Sequence, residues 1–248
     1  MDEPSTPAPT PAPTPAPAPA PAPVPTTMAQ LPLFPLESVL FPGGLLPLQI
    51  FEVRYLDMIG RCHKAGTPFG VVCLSEGREV RQRAASDGPT GEAFAHEAFF
   101  AVGTLARIDE LQRPRPGLMM IRCTGTQRFR VERSAQQKFG LWTADVTLIE
   151  ADAVVPVPDD LAFARDALRA LVQDLETRID ADTSQAGTAL PLRKPYLWND
   201  CGWLANRWSE LLPLSPELKQ RFMALDSPVL RLELVADTLG QMGFALPR

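Results

Sequence analysis

The residues whose types could do chemistry are few and scattered. Cys62, Cys73, Cys123 and Cys201 contain no C-x-x-C pair, and the histidines are His63 and His96. A zinc site needs ligands spaced to converge, whereas Cys62 and His63 are adjacent, so no metal is expected. Widely separated thiols inside apolar or periodic segments read as buried free cysteines of a reducing compartment. No G-x-S-x-G presents a serine nucleophile, and no G-x-x-x-x-G-K-[ST] cradles a phosphate. Two isolated histidines leave little room for a Ser-His-acid arrangement. His63 falls at a helix end as a surface or capping residue, and His96 leads into a strand as a structural one. Glu76, Glu79 and Glu92 lie in a charged stretch that reads as a solvated face. The expectation is a chain with no catalytic residue and no cofactor.

Binding is the chemistry that remains. The best basic clusters are Arg78, Arg81 and Arg83, and Arg113 with Arg115, but acids are interspersed and few aromatics accompany them. With a formal net charge of −5 there is no footprint for RNA or an anionic membrane. No run of about 18 apolar residues is available to span a bilayer. At 45% hydrophobic the chain holds enough apolar surface for a real core.

The elements that must position any binding surface begin at Leu31–Tyr55, LPLFPLESVLFPGGLLPLQIFEVRY. Prolines 32, 35, 42 and 47 and the Gly43-Gly44 pair cut it into short apolar runs, so Leu31–Leu36 and Val39–Phe41 read as brief strands joined by tight turns, followed by a strand at Leu45–Ile50. After Phe51 the period changes: Tyr55, Leu56, Ile59 and Cys62 share one helical face, and Gly66 suits the C′ position. Strands follow at Phe69–Leu74, Ala98–Ile108, Leu118–Thr124, Arg128–Glu132 and Leu141–Ile149, the last alternating Trp142, Ala144, Val146 and Leu148 with polar residues. The prolines of Gln112–Gly117 are expected to exclude ladder pairing there. Ser75–His96 reads as a long polar connection.

Past Val155-Pro156-Val157-Pro158 the pattern turns helical. Asp159-Asp160 precede a face of Leu161, Leu168, Leu171, Leu175 and Ile179; a second helix holds Leu204, Trp208 and Leu211. Ser215-Pro216 and Ser227-Pro228 each place an N-cap serine before proline at N1 and open two more helices. Ala181–Pro195 reads as loop. Four amphipathic helices need a common core.

LPLFPL, VLFPGG, LPLQIFE, the Arg54-Tyr55 pair and Phe69-Gly70-Val71-Val72 closely resemble, in order, the start of the Lon protease N-terminal domain, the LON substrate-binding domain. Val102–Ile108 and Gly125–Phe129 extend the resemblance. The family often has proline where Val53 stands, which would only pre-set the first helical turn. The resemblance implies an α+β fold: a PUA-like β pseudo-barrel with one helix over residues 30–150, then a four-helix bundle over 151–248. It also implies capture of unfolded or damaged polypeptide without ATP, with Phe34, Leu36, Phe41, Pro42 and Gly43 as contact candidates if they face solvent. Core packing is the default for such residues and for Trp203 and Trp208. The parent protease adds ATPase and peptidase modules. Asp87-Gly88-Pro89 is similar to the run before its peptidase serine, but Thr90 follows, so the match reads as coincidence. A peptidase or peptidase-associated subunit, or an RNA-binding PUA-like protein, stand as alternatives.

Residues 1–29 form a Pro/Ala-rich tail whose composition favours polyproline II and cannot bury enough surface to fold. It reads as a spacer or as a ligand for a proline-binding module. It lacks the basic start and apolar core of a signal peptide, so export is not expected and a cytoplasmic location is. Met28, directly before the folded motif, is an alternative start.

Overall fold

A computed structural model describes residues 26–76, 97–181 and 190–243. Arg78, Glu79, Arg81, Arg83, Asp87–Thr90, Glu92, His96 and the tail through Pro25 lie outside them.

The first strand carries prolines without breaking. β1 runs Thr27–Leu36 and has two neighbours. Pro32 pairs only toward the antiparallel strand β7 (Trp142–Leu148), and Pro35 only toward the parallel strand β3 (Phe69–Glu76). Each proline therefore sits where β1 has one open side, which is where a missing N–H is tolerated. The strand begins at Thr27, inside the stretch assigned to the tail, because Thr27 and Met28 pair with Thr147 and Val146.

Val39–Phe41 is not a strand. This segment leads into the Phe41-Pro42-Gly43-Gly44 turn, where Gly43 takes φ +76 and donates to Gly125 O at 2.8 Å while Gly125 N–H returns a bond to Gly44 O at 2.9 Å. The left-handed angle explains the need for glycine at 43. At Gly125 the reason is space: a Cβ there would lie 2.3 Å from Phe41 O.

Strand β2, Leu45–Ile50, and helix α1, Val53–Ala65, follow as their periods require. Tyr55, Met58, Ile59 and Cys62 form the buried face of α1, and Gly66 at φ +65 ends it with N–H bonds from Gly66 and Thr67 to His63 O and Cys62 O.

Strands β4 (Ala98–Phe99), β5 (Val102–Arg115) and β6 (Leu118–Gln136) complete the sheet. The two runs expected at 118–124 and 128–132 are one strand, because β6 keeps a neighbour along its whole length. The expected unpaired turn at 112–117 shrinks to Pro116-Gly117: Gln112 pairs Met120, Arg115 pairs Leu118, and Pro114 sits in the register shift between. A bulge on a half-strand that has only β6 beside it accommodates a residue lacking an N–H. Pairings β1–β7–β6–β5–β3 return to β1, closing a circuit, while β2 flanks β6 outside it.

Four further helices share a second core: α2 (Ala162–Ala181, entered by a 3₁₀ turn at Asp159–Leu161), α3 (Cys201–Leu211), α4 (Pro216–Met223) and α5 (Pro228–Gln241). Leu168, Val172, Leu204, Trp208, Leu232, Val235 and Leu239 are its centre. Ser215 and Ser227 cap α4 and α5 with proline at N1, as expected, and Asp200 caps α3 by accepting from Gly202 and Trp203 N–H.

Candidate functional site

Helices meet sheet through a polar seam that fixes how the site is framed. Arg231, fully buried, donates to both Asp152 oxygens and to Asn206, and Arg128 donates to Asp152 at 3.0 Å and to the carbonyls of Met223 and Leu225. Asp152 thus supplies the counter-charge of Arg231 and shares Arg128 with Asp226, which lies 3.7 Å from that guanidinium. On the other side of the seam, Arg207 donates to Pro42 O at 2.8 Å and to Glu210 at 3.0 Å. Burial pushes the Glu210 carboxyl up to about 7 against the pull of Arg207 and Lys219. The Phe-Pro-Gly-Gly turn is therefore a docking element for α3, and it delivers the chain into β2.

Along β2 lies the site. At its start a cavity of about 680 Å³ opens between Leu45–Pro47, the β5–β6 surface and the segment Leu190–Tyr196. A depression of about 300 Å³ continues it, sharing Pro47, Glu110 and Arg122 and adding Leu48 and Met120. A third, of about 80 Å³, shares Leu48 and Gln49 and ends at Phe51, over Phe34, Leu36 and Tyr55. Through these shared residues the three follow β2 from Leu45 to Phe51, a discontinuous trough with Met120 47% and Phe51 55% exposed beside it.

The trough wall is held by named contacts. Arg193 reaches Asp109 at 3.3 Å and the Thr124 hydroxyl at 2.9 Å, pinning the 190–196 segment to β5 and β6. Tyr196 O–H donates to Glu176 and Lys194 pairs with the same carboxylate, each at 3.1 Å, tying that segment to α2. Burial works against ionising Asp109, yet the Thr124 hydroxyl, Arg107 and Arg193 hold it below the usual carboxylate range. Cys123, also on the lining, is 1% exposed, and burial together with Asp109 pushes its thiol up to about 12. A carboxylate fixed by two cations and a thiol so hard to ionise are poorly set up as base and nucleophile, since the thiolate is the reactive form. Among the described residues no cluster of His, Cys, Asp or Glu could hold a metal, and no helix is long and apolar enough to cross a membrane.

The contact candidates from sequence separate here. Phe41 is fully buried against Val102 and Met223, so it packs rather than contacts. Phe34 and Leu36, 8% and 3% exposed, offer only edges to the trough's far end, and Phe34 stacks on Tyr55 with centroids 4.1 Å apart. Pro42 is partly exposed and Gly43 exposed beside the trough's start. Trp208 is core at 1% exposure, whereas Trp203 is partly exposed in a cluster with Tyr196 and Trp198. His63 and Glu76 are exposed. Leu48, Met120 and Tyr196 were not nominated by sequence. The signal for Met120 is its place on the solvent phase of β6, out of step with buried Met119 and Ile121.

Residues 30–241 match the family model for the ATP-dependent protease La (LON) substrate-binding domain. The crystal structure of the Lon N-terminal domain protein from Xanthomonas campestris is 29% identical, with TM-score 0.61, covering 86% of this chain and 98% of that one. The N-terminal domain of the Mycobacterium avium complex Lon protease is 14% identical, with TM-score 0.51, covering 86% and 97%, a likeness of fold. No curated protein matches the sequence.

Proposed function

Because this chain belongs to the LON substrate-binding domain family, we propose that it is a non-catalytic module that captures unfolded polypeptide segments in the trough along β2. The supporting observation is that three depressions with lining residues in common follow the edge strand β2 from Leu45 to Phe51. An extended chain advances about 3.3 Å per residue, so the six-residue strand offers room for roughly that many substrate residues. Pro47 at the middle of β2 denies an incoming strand a full set of backbone donors. Recognition therefore rests on apolar side chains and tolerates many sequences, as a binder of unfolded chains requires. Met120, Leu48 and Phe51 are the central contacts, with Pro42 and Gly43 at the start and Phe34 and Leu36 as floor.

The closed strand circuit supports a PUA-like pseudo-barrel over residues 30–150, and the shared helical core supports a four-helix bundle over 151–248. In this reading the protein serves quality control in the cytoplasm. The test is the preference for unfolded over folded polypeptide and its loss when Met120 and Phe51 are made acidic.

A further inference from the structure

Tyr196, Trp198 and Trp203 form a three-ring cluster packed against the helical core, each residue partly exposed, with centroids 5.0, 5.3 and 6.1 Å apart. Their hydrogen bonding distinguishes them from the other indoles. Trp208 donates its Nε1–H to Ala164 O and Trp142 to Glu97, both at 2.8 Å, whereas Trp198 and Trp203 have no acceptor among the described residues. Partly exposed aromatic faces beside unspent N–H donors match one ligand chemistry well: a proline-rich segment, whose rings pack on aromatics and whose carbonyls make no internal hydrogen bonds.

Such a segment is part of this chain. From Pro7 to Pro25 every second residue is proline. It joins the fold at Thr26, whose carbonyl accepts from Leu148 N–H at 2.8 Å. From Leu148 the chain runs to Val155, whose carbonyl accepts from Cys201 at 2.9 Å, at the start of the helix bearing Trp203. Those seven steps span at most about 25 Å. In polyproline II, at about 3.1 Å per residue, the Pro7–Pro25 stretch extends roughly 55 Å, so it reaches the cluster with length to spare. Charge agrees in sign: Asp2 and Glu3 precede the prolines, and Arg169 lies over Trp198 with centroid distance 5.4 Å while Lys194 lies 5.5 Å from the Tyr196 ring centroid.

We propose that the N-terminal Pro/Ala segment docks on the Tyr196–Trp198–Trp203 cluster of its own chain. Tyr196 also lines the cavity at the start of β2, and the docking does not depend on what that cavity binds. The experiment uses the full-length chain, ¹⁵N-labelled, against a full-length variant in which each proline from Pro7 to Pro25 is changed to glycine. Trp198→Phe and Trp203→Phe assign the indole signals. The expected result is a shift of the Trp198 and Trp203 indole N–H resonances, with those of Trp142 and Trp208 unmoved and no change on dilution. Superimposable spectra overturn the proposal, as does movement of all four signals. A shift that depends on concentration assigns the occupant to a second copy and overturns docking within one chain.

Discussion

The guanidinium of Arg207 donates to the carbonyl of Pro42 at 2.8 Å, joining α3 to the turn that starts β2. One buried cation thereby sets the position of the trough's first strand relative to the helices, with Glu210 as its counter-charge at 3.0 Å.

Replacing Arg207 by Met should leave the Glu210 carboxylate buried without its partner. Removing one member of such a pair costs about 3–5 kcal/mol. Urea titration is expected to give a loss of this order above neutral pH and a smaller one in acid, where Glu210 takes up a proton. A loss below about 0.5 kcal/mol, the range of an ordinary surface change, would contradict the structural role.

Glu210 gives the protein a pH signature. Its carboxyl is raised from the ordinary 4.5 to about 7, chiefly by burial, so the folded state binds the proton more tightly than the unfolded state does. Its stabilising contribution is full below 4.5 and is lost as pH rises through about 7. Glu210→Gln should flatten the fall in Tm across that window relative to the unsubstituted chain. Parallel curves would show that the group does not titrate there.

Much of the frame was readable from the chain because local rules agree with the fold. The period shift after Phe51 with Gly66 behind it fixed α1, and two Ser-Pro pairs fixed the starts of α4 and α5. Continuous strands hid where prolines fall on open or bulged positions, at Pro32, Pro35 and Pro114, since openness depends on neighbours distant in sequence. Three buried arginines hid because charge reads as surface. Arg207 nonetheless stands on the same helical face as Leu204, Trp208 and Leu211, and Arg231 beside Leu232 and Val235, a placement that periodicity exposes once it is sought. The trough was least legible: Leu48 and Met120 come to one depression only through β2–β6 pairing, and Tyr196 reaches the neighbouring cavity only through the anchoring of 190–196. The polar seam linking sheet and helices was likewise invisible, because Arg128, Asp152 and Arg231 converge from three separate segments.

Two glycines should respond unequally to alanine. At Gly125 the new Cβ would lie 2.3 Å from the Phe41 carbonyl, forcing backbone to move, whereas at Gly66 it meets nothing within 4 Å and only the φ of +65 opposes it. Gly66→Ala is expected to cost about 1 kcal/mol, as a side chain in the left-handed region does. Gly125→Ala should cost about 1–3 kcal/mol or more, as overpacking does. Denaturant midpoints of the two variants check the order, and equal midpoints would contradict it.

All four cysteines are buried thiols, with Cys123 pushed up to about 12 and Cys62 and Cys201 also raised, chiefly by burial. Because the thiolate is the reacting form, the native protein should react slowly with a disulfide reagent at mildly alkaline pH and fully once unfolded. Rapid labelling of the native chain would contradict the packing of these residues.

The most direct test of the trough is fluorescence anisotropy with a labelled polypeptide, presented unfolded and as its native form, against the unsubstituted chain and the Met120→Asp/Phe51→Asp variant. Both side chains are about half exposed, so the substitutions should leave Tm nearly unchanged. The account predicts a clear preference for the unfolded form and a loss of about tenfold or more in affinity for the variant, about 1.4 kcal/mol. Equal binding of folded and unfolded polypeptide, or full affinity in the variant, would contradict it.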